Sequence, residues 1–217
     1  MKEIINKMNE FFSKPLNLQS RITIIIAALT LIPTFFFPLW HMSFWSQQYP
    51  DGLDLYIYSY RLDSGDEGND LREINILNHY IGMKELVEDD FTEFKWIPLA
   101  VIIFIFVSLR AAVFGSMDKL IDAFFLFVYF GIYSVWSFWY RLYSYGHNLD
   151  PKAAVRIDPF TPPVFGFKPV GQFKVWSYPD VGSYAFGLFA ILLALAIWLS
   201  RKEKAHYGLP SVHTIDK

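Results

Sequence analysis

The sequence predicts an all-α integral membrane protein with four transmembrane helices, an interfacial amphipathic helix at the N-terminus and two long ordered loops that form a small extracytoplasmic cap. Three observations lead to this prediction. Four apolar stretches approach the roughly 20 residues that cross a bilayer. Only 18% of the 217 residues are charged, whereas a soluble domain usually has about a quarter. Lysine and arginine are denser in the segments assigned to one side of the membrane.

The first element, residues 1–20, has the pattern of a helix that lies on the membrane surface. Ile4, Met8 and Phe11 recur at helical spacing, and the lysines between them can meet anionic headgroups. Pro15 ends or bends this helix. The other predicted elements are a first span at 21–40, an extracytoplasmic loop at 41–96, a second span at 97–115, a cytoplasmic turn at 116–119, a third span at 120–140, a second extracytoplasmic loop at 141–180, a fourth span at 181–200 and a cytoplasmic tail at 201–217.

Charge density sets the predicted orientation. Ten of the nineteen Lys and Arg residues fall in the short segments placed in the cytoplasm, and the other nine spread over about twice as much chain. The first span also lacks a small-residue cleavage site, which favours an uncleaved anchor. We therefore expect a multi-pass protein of the inner (cytoplasmic) membrane, with both termini in the cytoplasm and both large loops in the periplasm.

The two outer loops are too long, and too rich in aromatic and aliphatic residues, to be disordered linkers. Residues 53–60 have strand composition and residues 71–86 fit a helix. The first loop holds twelve acidic and four basic residues, a net charge of −8 before histidine is counted. Its acidic tip at 63–70 is either a solvated face or a surface that steers a partner. The residues predicted to bind that partner are Trp45, Asp63, Asp66, Glu67, Asp70, Phe160 and Phe165.

Several function classes lack their motifs. No acidic residue or histidine lies near the predicted midplane of a span, which argues against a proton or ion pathway. Nucleotide-binding, hydrolase and zinc-protease motifs are absent from the sequence. A net charge of −2 without a basic patch argues against nucleic-acid binding. We therefore predict a protein that is not an enzyme.

Histidine and methionine carry any soft-metal chemistry, because the chain has no cysteine. His79 and Met83 stand four residues apart on the predicted helix, and imidazole with thioether suits copper, particularly Cu(I). The residues predicted to bind copper are His41, Met42, His79, Met83 and His147. In the alternative interpretation these side chains bond and pack within the loops. A haem held by His41 and His147 is a further alternative, although the sequence has no Cys-x-x-Cys-His motif.

Four strings carry a resemblance to a known family. They are Gln-Gln-Tyr-Pro-Asp-Gly-Leu at 47–53, Glu-Ile-Asn-Ile-Leu-Asn-His-Tyr-Ile-Gly-Met at 73–83, Tyr-Gly-His-Asn-Leu-Asp-Pro at 145–151 and Asp-Pro-Phe-Thr-Pro-Pro at 158–163. The chain resembles NosB, the small multi-span membrane protein encoded beside nitrous oxide reductase in clade II (atypical) gene clusters. The resemblance covers both outer loops. It implies a role in nitrous oxide respiration, as an accessory protein of a multicopper reductase.

Three hypotheses for the function follow. The leading one is a non-enzymatic membrane partner of an extracytoplasmic copper enzyme, which the resemblance identifies as nitrous oxide reductase; the chain would anchor the enzyme or assist its maturation. The second is a copper-handling membrane protein that binds Cu(I) through His and Met. The third is a redox subunit linked to haem or quinol.

Overall fold

The computed structural model describes residues 2–170 and 172–204. The predictions for residue 1 and for residues 205–217 of the tail lie outside that range. In chain order the elements are α1 (Lys2–Phe12), α2 (Leu18–Thr30), β1 (Trp40–Trp45), β2 (Leu53–Ile57), β3 (Leu62–Ser64), α3 (Asn69–Tyr80), α4 (Glu93–Phe114), α5 (Met117–His147), β4 (Gly166–Val170), β5 (Phe173–Pro179) and α6 (Val181–Ser200). Short 3₁₀ turns lie at Ile32–Phe35, Asp66–Gly68 and Glu88–Asp90.

Four helices in the described part of the chain are long and apolar enough to cross a membrane, as the sequence predicts. They are α4, α5, α6, and α2 together with the 3₁₀ turn that continues it to Phe35. Their buried side chains, among them Ile24, Phe104, Phe127 and Phe189, form one apolar core. The four helices indicate a multi-pass membrane protein.

Polar contacts between spans also hold the bundle together. The buried hydroxyl of Ser20 on α2 donates to the carbonyl of Ala196 on α6 at 2.8 Å, and the hydroxyl of Ser200 donates to Ser20 at 2.7 Å. Small side chains at these positions allow the two helices to approach closely. Such hydrogen bonds satisfy groups for which a bilayer offers no water.

The segment between α1 and α2 clamps one end of the bundle. Lys14 donates to the carbonyl of Arg201 at 2.7 Å, and the N–H of Leu16 donates to Gly115 at 2.7 Å. Arg21 donates through Nε to the carbonyl of Ala112 at 2.6 Å, so it satisfies a carbonyl that the end of α4 leaves without a helical partner. The N-terminal segment, the turn between α4 and α5 and the end of α6 therefore meet at one end, and the strands lie at the other.

Helix α1 differs in part from the predicted helix at 1–20. It ends at Phe12, before Pro15, because proline cannot continue the helical hydrogen bonds. Its apolar residues Ile4 and Met8 are exposed, whereas Phe11 packs against the bundle core. An exposed apolar face is what a helix at a membrane surface presents to lipid.

The cap is a five-stranded antiparallel sheet in the order β3-β2-β1-β5-β4. The predicted all-α class is therefore wrong, although the strand expected at 53–60 is confirmed over Leu53–Ile57. Strand β1 pairs with β2 from its own loop and with β5 from the second loop, so the two loops form one unit. Trp40, which the sequence predicts at the end of the first span, instead begins β1. Its strand partner Pro179 is distant in the chain, so local patterns do not reveal the pairing.

Two helices differ from their predicted bounds for physical reasons. Helix α5 has 31 residues, or about 46 Å at the usual rise per residue. This length exceeds the thickness of a bilayer core, about 30 Å. The last turns of α5 therefore lie in the cap. Helix α3 ends at Tyr80 instead of continuing to 86. Gly82 has a φ of +77°, and the N–H of Met83 donates to Asn78 at 2.8 Å, which is the Schellman pattern of a helix end.

Candidate docking face of the cap

The register of the sheet divides it into a buried face and an open face. Side chains alternate along each strand, and residues directly opposite each other across an antiparallel pair share a face. Met42, Leu55 and Val175 are buried and cluster with Ile74 of α3 and Tyr145 of α5. The residues between them on β1, β2 and β5 therefore form the open face.

At the centre of the open face lies a histidine held by its neighbours. His41 stacks on Tyr56 with ring centroids 4.3 Å apart and meets the edge of Tyr178 at 4.9 Å. Its Nε2 lies 3.0 Å from Oδ1 of Asp54, and the hydroxyl of Ser43 donates to the same oxygen at 2.6 Å. Burial and the charge of Asp54 raise the pKa of Tyr56, which keeps its hydroxyl neutral at physiological pH.

This polar cluster does not have the geometry of a hydrolytic triad. A triad places histidine between the nucleophile and the carboxylate, so that histidine takes the proton of the nucleophile. Here Ser43 donates directly to Asp54, and its oxygen lies 3.3 Å from Nε2 of His41. The carboxylate of Asp54 thus accepts hydrogen bonds from both His41 and Ser43. The cluster therefore fixes the position of His41.

Large aromatic side chains extend the open face towards β4. Phe167 and Trp176 are paired across β4 and β5, with ring centroids 5.1 Å apart. Phe167 is 48% exposed, Trp176 44% and Trp45 46%. Together with Tyr56 and Tyr178 they make an exposed aromatic surface on a paired sheet, which we call the aromatic face. Contiguous exposed patches of this kind mark interaction sites.

The acidic tip lies next to β3. Asp63 forms an ion pair with Arg61 at 2.7 Å, which neutralises part of its charge. Asp66 and Glu67 are exposed, with φ values of +46° and +52°. These two carboxylates are the accessible part of the tip.

The other three residues predicted to bind a partner differ in placement. Asp70 is buried, and its carboxylate accepts the backbone N–H of Asp54 at 2.8 Å, so it is a structural residue. Phe165 is 71% exposed just before β4. Phe160 is half-buried and donates its N–H to the carbonyl of Gly146 at the end of α5, at 3.0 Å.

The residues predicted to bind copper do not form one site. His41 and Met42 are adjacent in β1 and point to opposite faces of the sheet. His79 and Met83 do not share a helical face, because the helix ends between them at Gly82. In the described part of the chain, no group of three or more His, Asp or Glu side chains is arranged to hold a metal ion. The five predicted copper ligands are therefore spread over β1, the end of α3 with the turn that follows it, and the end of α5.

The fifth predicted ligand, His147, lies at the end of α5. Its ring stacks on Tyr143 with centroids 3.8 Å apart, and its Nδ1 lies 3.0 Å from the carbonyl of Tyr143. These contacts are local to the helix, whereas His41 is held by Asp54 on the open face of the sheet. The two histidines are therefore held by separate partners, one within α5 and the other in the sheet.

Two of the four strings that carry the family resemblance, 73–83 and 145–151, line a cleft of ≈990 Å³ to which His79 and Met83 contribute, and the string at 158–163 contacts the second of them through Phe160. The N–H of Asp150 donates to Gly82 at 2.8 Å, and a Cβ at Gly82 would lie 2.8 Å from the carbonyl oxygen of Asp150. A Cβ at Gly146 would lie 1.9 Å from the carbonyl oxygen of Phe160. These close backbone contacts require glycine at both positions. The residues of these strings therefore have a packing role in the cap.

The partner-binding residues predicted from the sequence do not include most of the aromatic face, which Trp176, Phe167 and Tyr178 help to form. The alternation in Phe173–Pro179, which buries Val175 and Ser177 and exposes the residues between them, was the signal that could have revealed β5. Comparisons of the chain with protein-family models, curated proteins and solved structures find no match.

Proposed function

We propose that the chain is a multi-pass inner-membrane protein whose cap docks a soluble copper enzyme in the periplasm. In this proposal the chain is a non-enzymatic partner that anchors the enzyme or assists its maturation, and the resemblance to NosB makes nitrous oxide reductase that enzyme. The observation that carries the proposal is the aromatic face. Trp45, Phe167 and Trp176 are exposed on a paired sheet, and rigid aromatic side chains are the usual anchors of protein interfaces.

The charge next to the aromatic face favours a protein partner over the bilayer surface. Aromatic side chains alone could also lie among lipid headgroups. Anionic lipids would repel the exposed carboxylates of Asp66 and Glu67, and the first outer loop as a whole carries a net charge of −8 before histidine is counted. A partner with a basic rim around an apolar centre would complement both features.

The arrangement of the bundle supports the proposed topology. The N-terminal segment, the turn between α4 and α5 and the end of α6 meet at one end. Those same segments hold the higher density of Lys and Arg, which favours the cytoplasmic side. The cap would then face the periplasm, where a soluble copper enzyme can reach it.

Co-purification tests the proposal. The tagged full-length chain would be extracted with mild detergent from cells that respire nitrous oxide, alongside a variant with Trp176→Ala and Phe167→Ala. Tyr80→Ala serves as the control, because Tyr80 is an exposed aromatic of the cap on α3 and outside the sheet. We expect the reductase with the unmodified chain and the control, and at least about tenfold less with the double variant, since truncating an interface anchor costs more than about 1 kcal/mol and the variant truncates two.

Two results would contradict the proposal. One is recovery of the unmodified chain alone, even after cross-linking in respiring cells. The other is equal recovery of the reductase by the double variant, which would remove the aromatic face from the interface.

A further inference from the structure

A second cavity lies where the cap meets the spans. It has a volume of ≈350 Å³, and α4, α5, α6 and the first two strands contribute to its walls. Aromatic rings dominate these walls, among them Trp40, Phe94, Trp96, Phe130 and Phe186. We call this cavity the junction crevice.

An apolar molecule is the natural occupant of the junction crevice. A buried water needs two to four polar partners, and the aromatic and aliphatic side chains that make up most of these walls provide none. An empty cavity of this size would deprive its lining atoms of dispersion contacts. A hydrocarbon chain avoids both costs.

The junction crevice also has a polar end and an apolar end. At the cap, Arg141 donates to Glu93 at 2.7 Å, and the hydroxyl of Ser137 donates to Glu93 at 2.6 Å. At the far end the crevice reaches Phe127, which belongs to the apolar core of the bundle. From Phe127 to Arg141 the helix rises about 21 Å. A lipid in the leaflet on the cap side has the same polarity, with its head at the membrane surface and its chains towards the midplane.

Two residues of α5 in the wall of the junction crevice have distinct properties: one leaves open space, and the other has a hydroxyl without a partner. A Cβ added at Gly131 would meet no atom within 4 Å, although glycine is a poor residue for a helix interior. One turn further along α5, the hydroxyl oxygen of Ser134 is buried and has no hydrogen-bond partner in the described part of the chain. A serine hydroxyl changes its direction by rotation about χ1.

We infer that the junction crevice binds one acyl chain of a membrane phospholipid, whose ester carbonyl accepts the hydroxyl of Ser134. This inference rests on the membrane insertion proposed above. A quinone ring has two carbonyls at opposite ends and would need a donor at each, whereas the ester needs only the hydroxyl of Ser134. Arg141 and Glu93 already bond to each other, and the hydroxyl of Ser183 donates to Leu39 at 2.6 Å. The bound chain would fill the junction between the cap and the spans.

Native mass spectrometry of the purified full-length chain tests this inference. The chain would be stripped of lipid in detergent and offered palmitoyl-oleoyl phosphatidylethanolamine. The variants are Gly131→Leu and Ser134→Leu, which fill the crevice from two positions, so the test survives if one of them fails to fold. Gly187→Leu is the control, because Gly187 also has open space around it but does not line the crevice.

We expect one retained phospholipid per chain for the unmodified protein and for Gly187→Leu. Each crevice variant should lower the bound fraction at least tenfold. The inference is overturned if the unmodified chain retains no such lipid or if both crevice variants retain it equally. The measurement uses the isolated chain, so a negative result leaves the co-purification test of docking unaffected.

Discussion

The buried carboxylate of Asp70 accepts the backbone N–H of Asp54 at 2.8 Å and so ties the acidic tip to the sheet. Asp54 in turn accepts hydrogen bonds from His41 and Ser43 at the centre of the open face. Gly65 leaves room for the Asp70 carboxylate, since a Cβ there would lie 2.3 Å from its oxygen. The position of the polar cluster on the open face of the sheet therefore depends on Asp70, which is not exposed.

Replacing Asp70 by alanine should destabilise the cap. The substitution leaves a buried N–H of the second strand without a partner, which costs about 1–3 kcal/mol. Thermal unfolding in detergent, followed by near-UV circular dichroism, would measure the loss. Asp89→Ala is the matched control, because Asp89 is an exposed acid of the same loop, and it should change stability by less than about 0.5 kcal/mol. Equal effects of the two variants would contradict a structural role for Asp70.

Gly146→Ala should disrupt the contact between the end of α5 and the second loop. The added methyl would lie 1.9 Å from the carbonyl oxygen of Phe160, so one backbone segment has to move. We expect a lower melting temperature and a free energy of unfolding that is lower by about 1–3 kcal/mol, as at other overpacked sites. Gly131→Ala in the same helix is the control. It adds a methyl in open space and should be neutral or stabilising by up to about 1 kcal/mol. A stable Gly146→Ala protein would show that this contact is dispensable.

Single cysteines test the orientation without interference, since the natural chain contains none. Glu67→Cys and Lys152→Cys should react with a membrane-impermeant maleimide in intact cells, because both residues are exposed on the cap. Lys2→Cys and Lys204→Cys should react only after the membrane is permeabilised. Labelling of the terminal positions in intact cells, with protection of the cap positions, would reverse the proposed topology.

The four spans could be predicted from the sequence because their signal is local. Apolar length alone identifies α6, whose bounds, Val181–Ser200, match the prediction. The sheet depends on pairs such as Ser43 with Trp176, which lie on different loops and leave no joint pattern in a single sequence. The cap was therefore expected as an ordered unit, but its sheet was not.

The candidate site was predictable only in part for a related reason. A spacing of four residues put His79 and Met83 on one predicted face, but the left-handed backbone at Gly82 separates them. The acidic run at 63–70 suggested a uniform surface, whereas Asp70 turns inwards to bond Asp54. Composition indicates what a segment contains, and tertiary contacts decide which of its side chains remain accessible.

Binding kinetics would separate the roles proposed for the acidic tip and the aromatic face. Charges on the acidic tip act at a distance and steer the encounter, so Asp66→Asn with Glu67→Gln should lower the association rate several-fold at low salt. Both replacements keep side-chain shape at positions with positive φ, so backbone strain stays comparable. In the proposed complex, Trp176 would contact the partner only after docking. Trp176→Ala should therefore raise the dissociation rate about tenfold or more and leave the association rate almost unchanged.

Surface-based binding of the purified reductase to the chain in nanodiscs would measure both rate constants between about 50 and 500 mM salt. Over this range the Debye screening length falls from more than about 10 Å to a few ångströms. The effect of the charge variant should fade at high salt, because screening removes the steering that it abolishes. The effect of Trp176→Ala should persist, because burial of an aromatic ring does not depend on ionic strength in this way. If both variants change the same rate constant, or if the charge effect survives at high salt, the acidic tip and the aromatic face do not have the separate roles assigned to them.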